Sequence, residues 1–297
     1  KLTIRAMQFN TKQLYFLAGG TGSEIFRRGF PTKLPLWSAQ VLFDKPELLK
    51  DIYTDYIKAG ADIITTNTFR TQRRTLAKAG LAHETERINR LAVDIAVRAR
   101  KESGAKHHVL IAGCITTLED CYRPDLIPSQ KELEKEHAEQ VQLLADTPID
   151  FFILETFNSI REMAVAAEAV VATGKPFVAS FTANVEGDIL NGDTWEEAVK
   201  QLRPYNPMAI LVNCVPEKVA TRALRKIKRV AAVPFGAYAN GSGGADDEHG
   251  WKCTEADRIG DYVHTCSEWM KLGASIIGGC CGTNPDYTRA YSKLRRT

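Results

Sequence analysis

The stretch Ala274-Ser275-Ile276-Ile277-Gly278-Gly279-Cys280-Cys281-Gly282-Thr283 reads as a short strand running into a glycine-rich turn that carries two adjacent cysteines. An apolar run with β-branched Ile276 and Ile277 fits a strand buried on both faces, as in a parallel sheet. Glycine lets the backbone turn sharply and approach a ligand closely. Neighbouring thiols at a strand end suit a soft metal ion. They equally suit small packing residues, since free cysteine is commonly buried. On this stretch alone both readings stay open.

Working outward, similar apolar runs recur along the chain and end in small or polar residues. Residues 15–18 run into Gly19-Gly20-Thr21-Gly22, 62–65 into Thr66-Asn67-Thr68, and 109–112 into Gly113-Cys114. Residues 151–154 end at Glu155-Thr156, 177–180 at Phe181-Thr182, 209–212 at Asn213-Cys214, and 234–238 at Ala239-Asn240-Gly241. With 274–277, about eight strands are expected. Between them lie amphipathic stretches at 46–59, 84–102, 129–144, 159–173, 194–202, 217–230 and 257–272. Gly60, Gly104, Gly174 and Gly273 follow four of these as helix stops. Ser129 with Glu132, and Thr194 with Glu197, have capping-box spacing.

Strands alternating with helices imply a parallel sheet with crossover helices. Eight units in 297 residues predict an α/β protein, a single (β/α)8 TIM barrel spanning 1–297, with its chemistry at the C-terminal ends of the strands. An open doubly wound sheet is the alternative. The barrel predicts that Gly19, Gly20, Thr66, Asn67, Thr68, Glu155, Thr156, Asn213, Cys214, Asn240, Cys280 and Cys281 gather on one rim.

Composition narrows the function classes. The chain is 44% hydrophobic and 25% charged with a formal charge of +3, ordinary for a globular enzyme. A basic cluster at Arg222, Arg225, Lys226, Lys228 and Arg229 reads as a solvated helix face, so no nucleic-acid partner is expected. No apolar run approaches a membrane span and no secretory signal opens the sequence as given, so no membrane partner is expected. Seven irregularly spaced cysteines argue against a disulfide framework and for a reducing, cytoplasmic setting.

In a closed barrel the loops after the sixth and eighth strands lie one strand apart, so Cys214 could meet Cys280 and Cys281. Three protein ligands with an open fourth position describe a catalytic zinc rather than a structural one. The pair Asn213-Cys214, with Gly278-Gly279-Cys280-Cys281-Gly282-Thr283 downstream, resembles the signature of the homocysteine S-methyltransferase family. So do Gly19-Gly20-Thr21-Gly22-Ser23-Glu24, Leu36-Trp37-Ser38-Ala39, Thr66-Asn67-Thr68-Phe69 and Glu155-Thr156-Phe157. The likeness covers essentially the whole chain.

The resemblance implies Zn2+ held by Cys214, Cys280 and Cys281, with homocysteine adding its sulfur and a second small molecule donating the methyl group. It implies that Glu155 grips the homocysteine amino group. Backbone amides around Gly19, Gly20 and Thr21 and near Asn67 and Thr68 are candidates for the substrate carboxylate, and Asn213 completes the expected substrate-binding set. Helix-start electrostatics for Glu155 and loop hydrogen bonding for Asn67 and Asn213 are the competing structural explanations.

One family position differs: an aspartate usually precedes the first two glycines, and here Ala18 stands there. The expected donor pocket comprises Trp37, Phe69, Arg70, Thr156 and Asn240. Betaine-using relatives carry tyrosines where this chain has Arg70 and Thr156, so an S-methylmethionine-like sulfonium donor is favoured. Methionine would be the product. Two alternatives remain: a barrel enzyme of another class with phosphate bound at the Gly278-Gly279 loop, and a zinc- and homocysteine-binding barrel whose catalysis is reduced or lost because of Ala18. The stretch Cys121-Tyr122-Arg123-Pro124 is expected to overlie the site, with Arg123 as a contact.

Overall fold

A computed structural model describes residues 7–246, 248–254 and 258–296. Its main sheet contains β1 (Tyr15–Phe16), β2 (Ile63–Thr65), β3 (Leu110–Ile115), β4 (Phe151–Phe157), β5 (Phe177–Phe181), β6 (Ala209–Pro216) and β7 (Phe235–Asn240). A hairpin of β8 (Gly244–Asp246) and β9 (Gly250–Lys252) precedes the last sheet strand, β10 (Ile276–Gly279). The eight sheet strands lie in the order β1-β10-β7-β6-β5-β4-β3-β2. All their pairings are parallel. Leu17 pairs with Ile63 where β1 meets β2, closing the expected (β/α)8 barrel.

The helices are α1 (Thr21–Arg27), α2 (Gln40–Asp44), α3 (Pro46–Lys58), α4 (Arg73–Lys78), α5 (Thr85–Glu102), α6 (Gln130–Ala145), α7 (Ile160–Ala172), α8 (Trp195–Leu202), α9 (Glu217–Val230), α10 (Ile259–Leu272) and α11 (Pro285–Tyr291). The expected start at Asp257 lies outside the described residues. Both capping boxes form, and the four helix-stop glycines all have positive φ. The sequence reading missed α1, α2, α4, α11 and the hairpin. Four short helices of five to seven residues contain too few turns for a hydrophobic period to show.

Strand side chains alternate between two apolar layers. Phe151 and Ile153 of β4 fill the barrel interior with Leu17, Ala112, Val178, Leu211 and Ile276. Phe152 and Leu154 face the helices, packing with residues such as Val141, Met163 and Val170. Because both faces are covered, the strands read as continuous apolar runs. No helix among the described residues is long and apolar enough to cross a membrane.

The β1–β2 seam is short and leans on one carboxylate. Asp62 accepts from the Phe16 amide at 2.8 Å, pairs with Arg295, and donates its own amide to the Phe16 carbonyl at 2.7 Å. Replacing Asp62 by alanine leaves a buried amide without its acceptor. We expect Asp62→Ala to lose about 2 kcal/mol of stability, seen as a lower urea midpoint with the slope unchanged.

Candidate active site

Two strands bend as they reach the rim. Thr156 in β4 and Cys214 in β6 have φ of 60° and 55°, a left-handed conformation that costs a non-glycine residue about 1–3 kcal/mol. Each coincides with a register shift, after which pairing resumes at Phe157–Phe181 and Pro216–Asn240. Glu155 and Cys214 therefore belong to irregular strand ends rather than to following loops. Asn213 holds the two bends together. Its side-chain carbonyl accepts from the Thr156 amide at 3.1 Å and the Ser180 hydroxyl at 2.7 Å, while its amide donates to the Thr156 hydroxyl at 2.7 Å.

The bend brings the Cys214 sulfur to 3.9 Å from that of Cys281. The ligand sulfurs of Cys214, Cys280 and Cys281 all lie within 4.8 Å of one another. Tetrahedral zinc with Zn–S near 2.3 Å requires sulfurs about 3.8 Å apart, so this donor set fits such an ion with small adjustments. S–H donation from Cys280 and Cys281 holds the Cys214 thiol well below the usual range, despite burial. The same contacts push the Cys280 and Cys281 thiols up. Tyr122, from the loop after β3, donates its hydroxyl to the Cys214 sulfur at 3.1 Å and to the Cys214 carbonyl at 2.9 Å.

The first loop braces the cysteine turn. The Gly20 amide donates to the Thr283 hydroxyl at 3.1 Å, which in turn donates to the Cys280 carbonyl at 2.7 Å. The Gly282 amide donates to Ser23 Oγ at 2.9 Å. A Cβ on Gly20 would stand 2.5 Å from the Cys280 oxygen, and one on Gly282, at φ 77°, would stand 2.0 Å from the Ser242 oxygen. Gly278 and Gly279 are enclosed by Leu17 and Thr283 in the same way. Their glycine character is explained by the close approach of Leu17 and Thr283 to β10 rather than by a phosphate cradle.

Two cavities meet over the sulfurs. The first is lined by residues including Ala18, Gly19, Gly20, Thr21, Asn67 and Glu155. The second is lined by residues including Arg70, Asp120, Cys121, Tyr122, Asp246 and Trp251. Trp37, Phe69, Cys214 and Cys281 border both.

Burial pushes the Glu155 carboxyl up to about 7, against the opposing pull of the Cys114 thiol and the Tyr238 hydroxyl; the Cys214 charge raises it further. The Cys114 thiol donates to Glu155 Oε2 at 3.3 Å. Burial first, and the neighbouring Glu155 charge second, push that thiol well up, so it remains a protonated donor.

Several sequence-expected residues sit elsewhere. Thr68 donates to the Cys114 carbonyl at 2.7 Å, its amide donates to the Thr66 carbonyl at 2.8 Å, and it is buried. Thr68, Asn213 and Asn240 line neither cavity; the first two have side chains committed to the framework. Asn67 reaches the first cavity, yet its side chain is engaged by Ser38 at 2.7 and 2.8 Å. Thr156 lines the first cavity, not the expected donor side. Arg123 pairs with Asp125 on the surface; Tyr122 makes the site contact in its place. Tyr122 lies in the stretch expected to overlie the site, whereas Cys114, Tyr238 and Trp251 were absent from the expected set because their approach depends on contacts across the barrel or through the hairpin.

Comparisons with known proteins agree with this geometry. The family model described as homocysteine S-methyltransferase matches residues 15–294. Homocysteine S-methyltransferase YbgG of Bacillus subtilis is 29% identical, covering 97% of this chain and 96% of that protein. Selenocysteine methyltransferase of Astragalus bisulcatus is also 29% identical, over 94% of this chain and 91% of its own. The metallated crystal structure of the homocysteine methyltransferase MmuM from Escherichia coli superposes with a TM-score of 0.80 at 26% identity, covering 95% of this chain and 96% of that one. The chain is therefore a methyltransferase and belongs to the homocysteine S-methyltransferase family.

Proposed function

We propose that this protein transfers a methyl group from a sulfonium donor to the sulfur of homocysteine, giving methionine, with zinc held by Cys214, Cys280 and Cys281. The observation that carries this reading is the three-sulfur cluster on the border shared by two cavities. One cavity suits the acceptor and the other the donor. Zinc supplies Lewis acidity that lets a thiol, ordinarily protonated near pH 7, act as a thiolate.

The protein's own groups position the reactants, which is most of what a displacement at methyl carbon requires. Glu155 holds the acceptor ammonium; among the described residues lining that cavity its side chain is the carboxylate. The amides of Gly19 and Thr21, where the chain turns into α1, receive the acceptor carboxylate, the Gly20 amide being given to Thr283. Asn213 positions rather than contacts: it sets the bends that place Glu155 and Cys214. Trp37 and Phe69, 5.9 Å apart and edge to face, present aromatic surface to a sulfonium cation. A cytoplasmic setting, where thiols stay reduced, belongs to this reading.

A donor panel tests it. Purified zinc-loaded protein is incubated with homocysteine and, separately, S-methylmethionine, S-adenosylmethionine or betaine, and methionine is quantified. Methionine should form with a sulfonium donor and at least about tenfold more slowly with betaine, the difference of one lost favourable contact. Zinc and homocysteine binding without transfer from any donor would overturn the catalytic reading. Ala18→Asp, run alongside, reports whether restoring a carboxylate to the first cavity changes the acceptor KM.

A further inference from the structure

Arg70 departs from the rule that buried charge is paired. The Nε of its guanidinium is shut off from solvent and has no hydrogen-bond partner. Among the described residues the side chain has no ion pair; its recorded contact is the Phe69 ring, 5.7 Å away. Other half-buried arginines behave differently. Arg74 ties together Glu119, Glu132 and Glu136, and Arg28 bridges Glu24 and Asp55. Shutting a guanidinium N–H away from water without an acceptor is unfavourable, and the planar fork is shaped for a carboxylate.

Arg70 lines the second cavity together with Asp120 and Asp246. These carboxylates accept from backbone amides of their own turns, from Tyr122 at 2.8 Å and from His249 at 2.7 Å. The cavity thus carries one positive and two negative side chains beside aromatic walls and the cysteine sulfurs. A sulfonium α-amino acid has the complementary set: one carboxylate, one ammonium and one sulfonium. Betaine's one cation is its methyl-bearing quaternary ammonium, so it has no separate α-ammonium, and a simple alkyl sulfonium lacks both the α-ammonium and the carboxylate.

Resting on the methyl-transfer reading above, we propose that Arg70 anchors the donor's carboxylate, so the second cavity selects sulfonium α-amino acids. Asp120 and Asp246 then face the ammonium. The sulfonium points toward Trp37, Cys214 and Cys281. Arg70 is a specificity determinant for the donor, separate from the Glu155 side where the acceptor sits.

The test is equilibrium binding, read from quenching of the Trp37 and Trp251 fluorescence in zinc-loaded protein without acceptor. The probes are S-methylmethionine, S-adenosylmethionine and (3-aminopropyl)dimethylsulfonium, which lacks the carboxylate. Wild type should bind S-methylmethionine at least about thirtyfold more tightly than the carboxylate-free probe, the worth of a charge-assisted contact. Arg70→Met should abolish that preference and Arg70→Lys should keep part of it, with zinc content and homocysteine KM unchanged. S-adenosylmethionine binding with the same Arg70 dependence extends the class to bulkier donors; its exclusion confines the cavity to the smaller ones.

A preference that survives Arg70→Met, no binding of either amino-acid probe, or an effect falling on homocysteine instead would overturn the proposal. Donor binding with the Arg70 effect but no methionine formation would retire the transfer reading and leave this one standing.

Discussion

Cys280→Ser is expected to lose most of its zinc on dialysis and to drop at least about a thousandfold in methionine formation. Serine offers a hard oxygen that stays protonated near neutral pH, where soft, borderline zinc favours sulfur. Loss of outer-shell partners alone typically costs 10–100-fold in affinity or activity, and a direct ligand should cost more. Metal content by elemental mass spectrometry, set beside activity, reads both effects. Cys266→Ala serves as control, since that thiol is buried in α10 away from the cluster. Stoichiometric zinc in Cys280→Ser would refute the assignment. Because ligation requires deprotonated sulfur, zinc affinity should also weaken as pH falls.

The second large effect is expected at Glu155. Glu155→Gln keeps the shape and removes the charge that holds the acceptor ammonium. The KM for homocysteine should rise by about a hundredfold, within the range for truncating a buried charged contact, with a smaller change in kcat. The sign of the pH dependence follows from the surroundings of the carboxyl group. Burial pushes the Glu155 carboxyl up to about 7, so it is largely protonated and neutral below that pH and ionised above it. Ammonium binds the ionised form and pulls the pKa down. Homocysteine affinity should therefore fall as pH drops through about 7, by up to tenfold per unit. In Glu155→Gln this limb should vanish. Zinc content measured across the same pH range separates it from protonation of the cysteines. An unchanged KM in Glu155→Gln would remove Glu155 from acceptor binding.

The expected strands and helices were legible because their signals are local. Runs such as 151–154 are apolar on both faces, and Gly174 after α7 or Ser129 before α6 acts on its own helix. The ends of β4 and β6 were not legible. Nothing local in Glu155-Thr156-Phe157 or Asn213-Cys214 announces a left-handed residue, and the conformation is held by Asn213 reaching Thr156 across 57 positions of chain. For the same reason Asn213 and Thr68 looked like substrate contacts when their groups are spent inside the framework. The hairpin was missed because Gly250 packs on Trp37, where a Cβ would be 2.5 Å from the indole nitrogen. Three-residue strands have little independent stability and depend on such a surface.

The sequence by itself determined the barrel and the three candidate ligands, because strand period, helix stops and the order of the eight units together dictate which loops share a rim. It also marked Ala18 as a missing carboxylate. Tertiary structure decided which rim residues reach a cavity, that Tyr122 rather than Arg123 touches Cys214, and that Arg70 faces the second cavity without a partner. These outcomes depend on side-chain direction and on groups far apart in the chain. A periodic pattern specifies the faces of an element, whereas hydrogen-bond partners are chosen only when the elements meet.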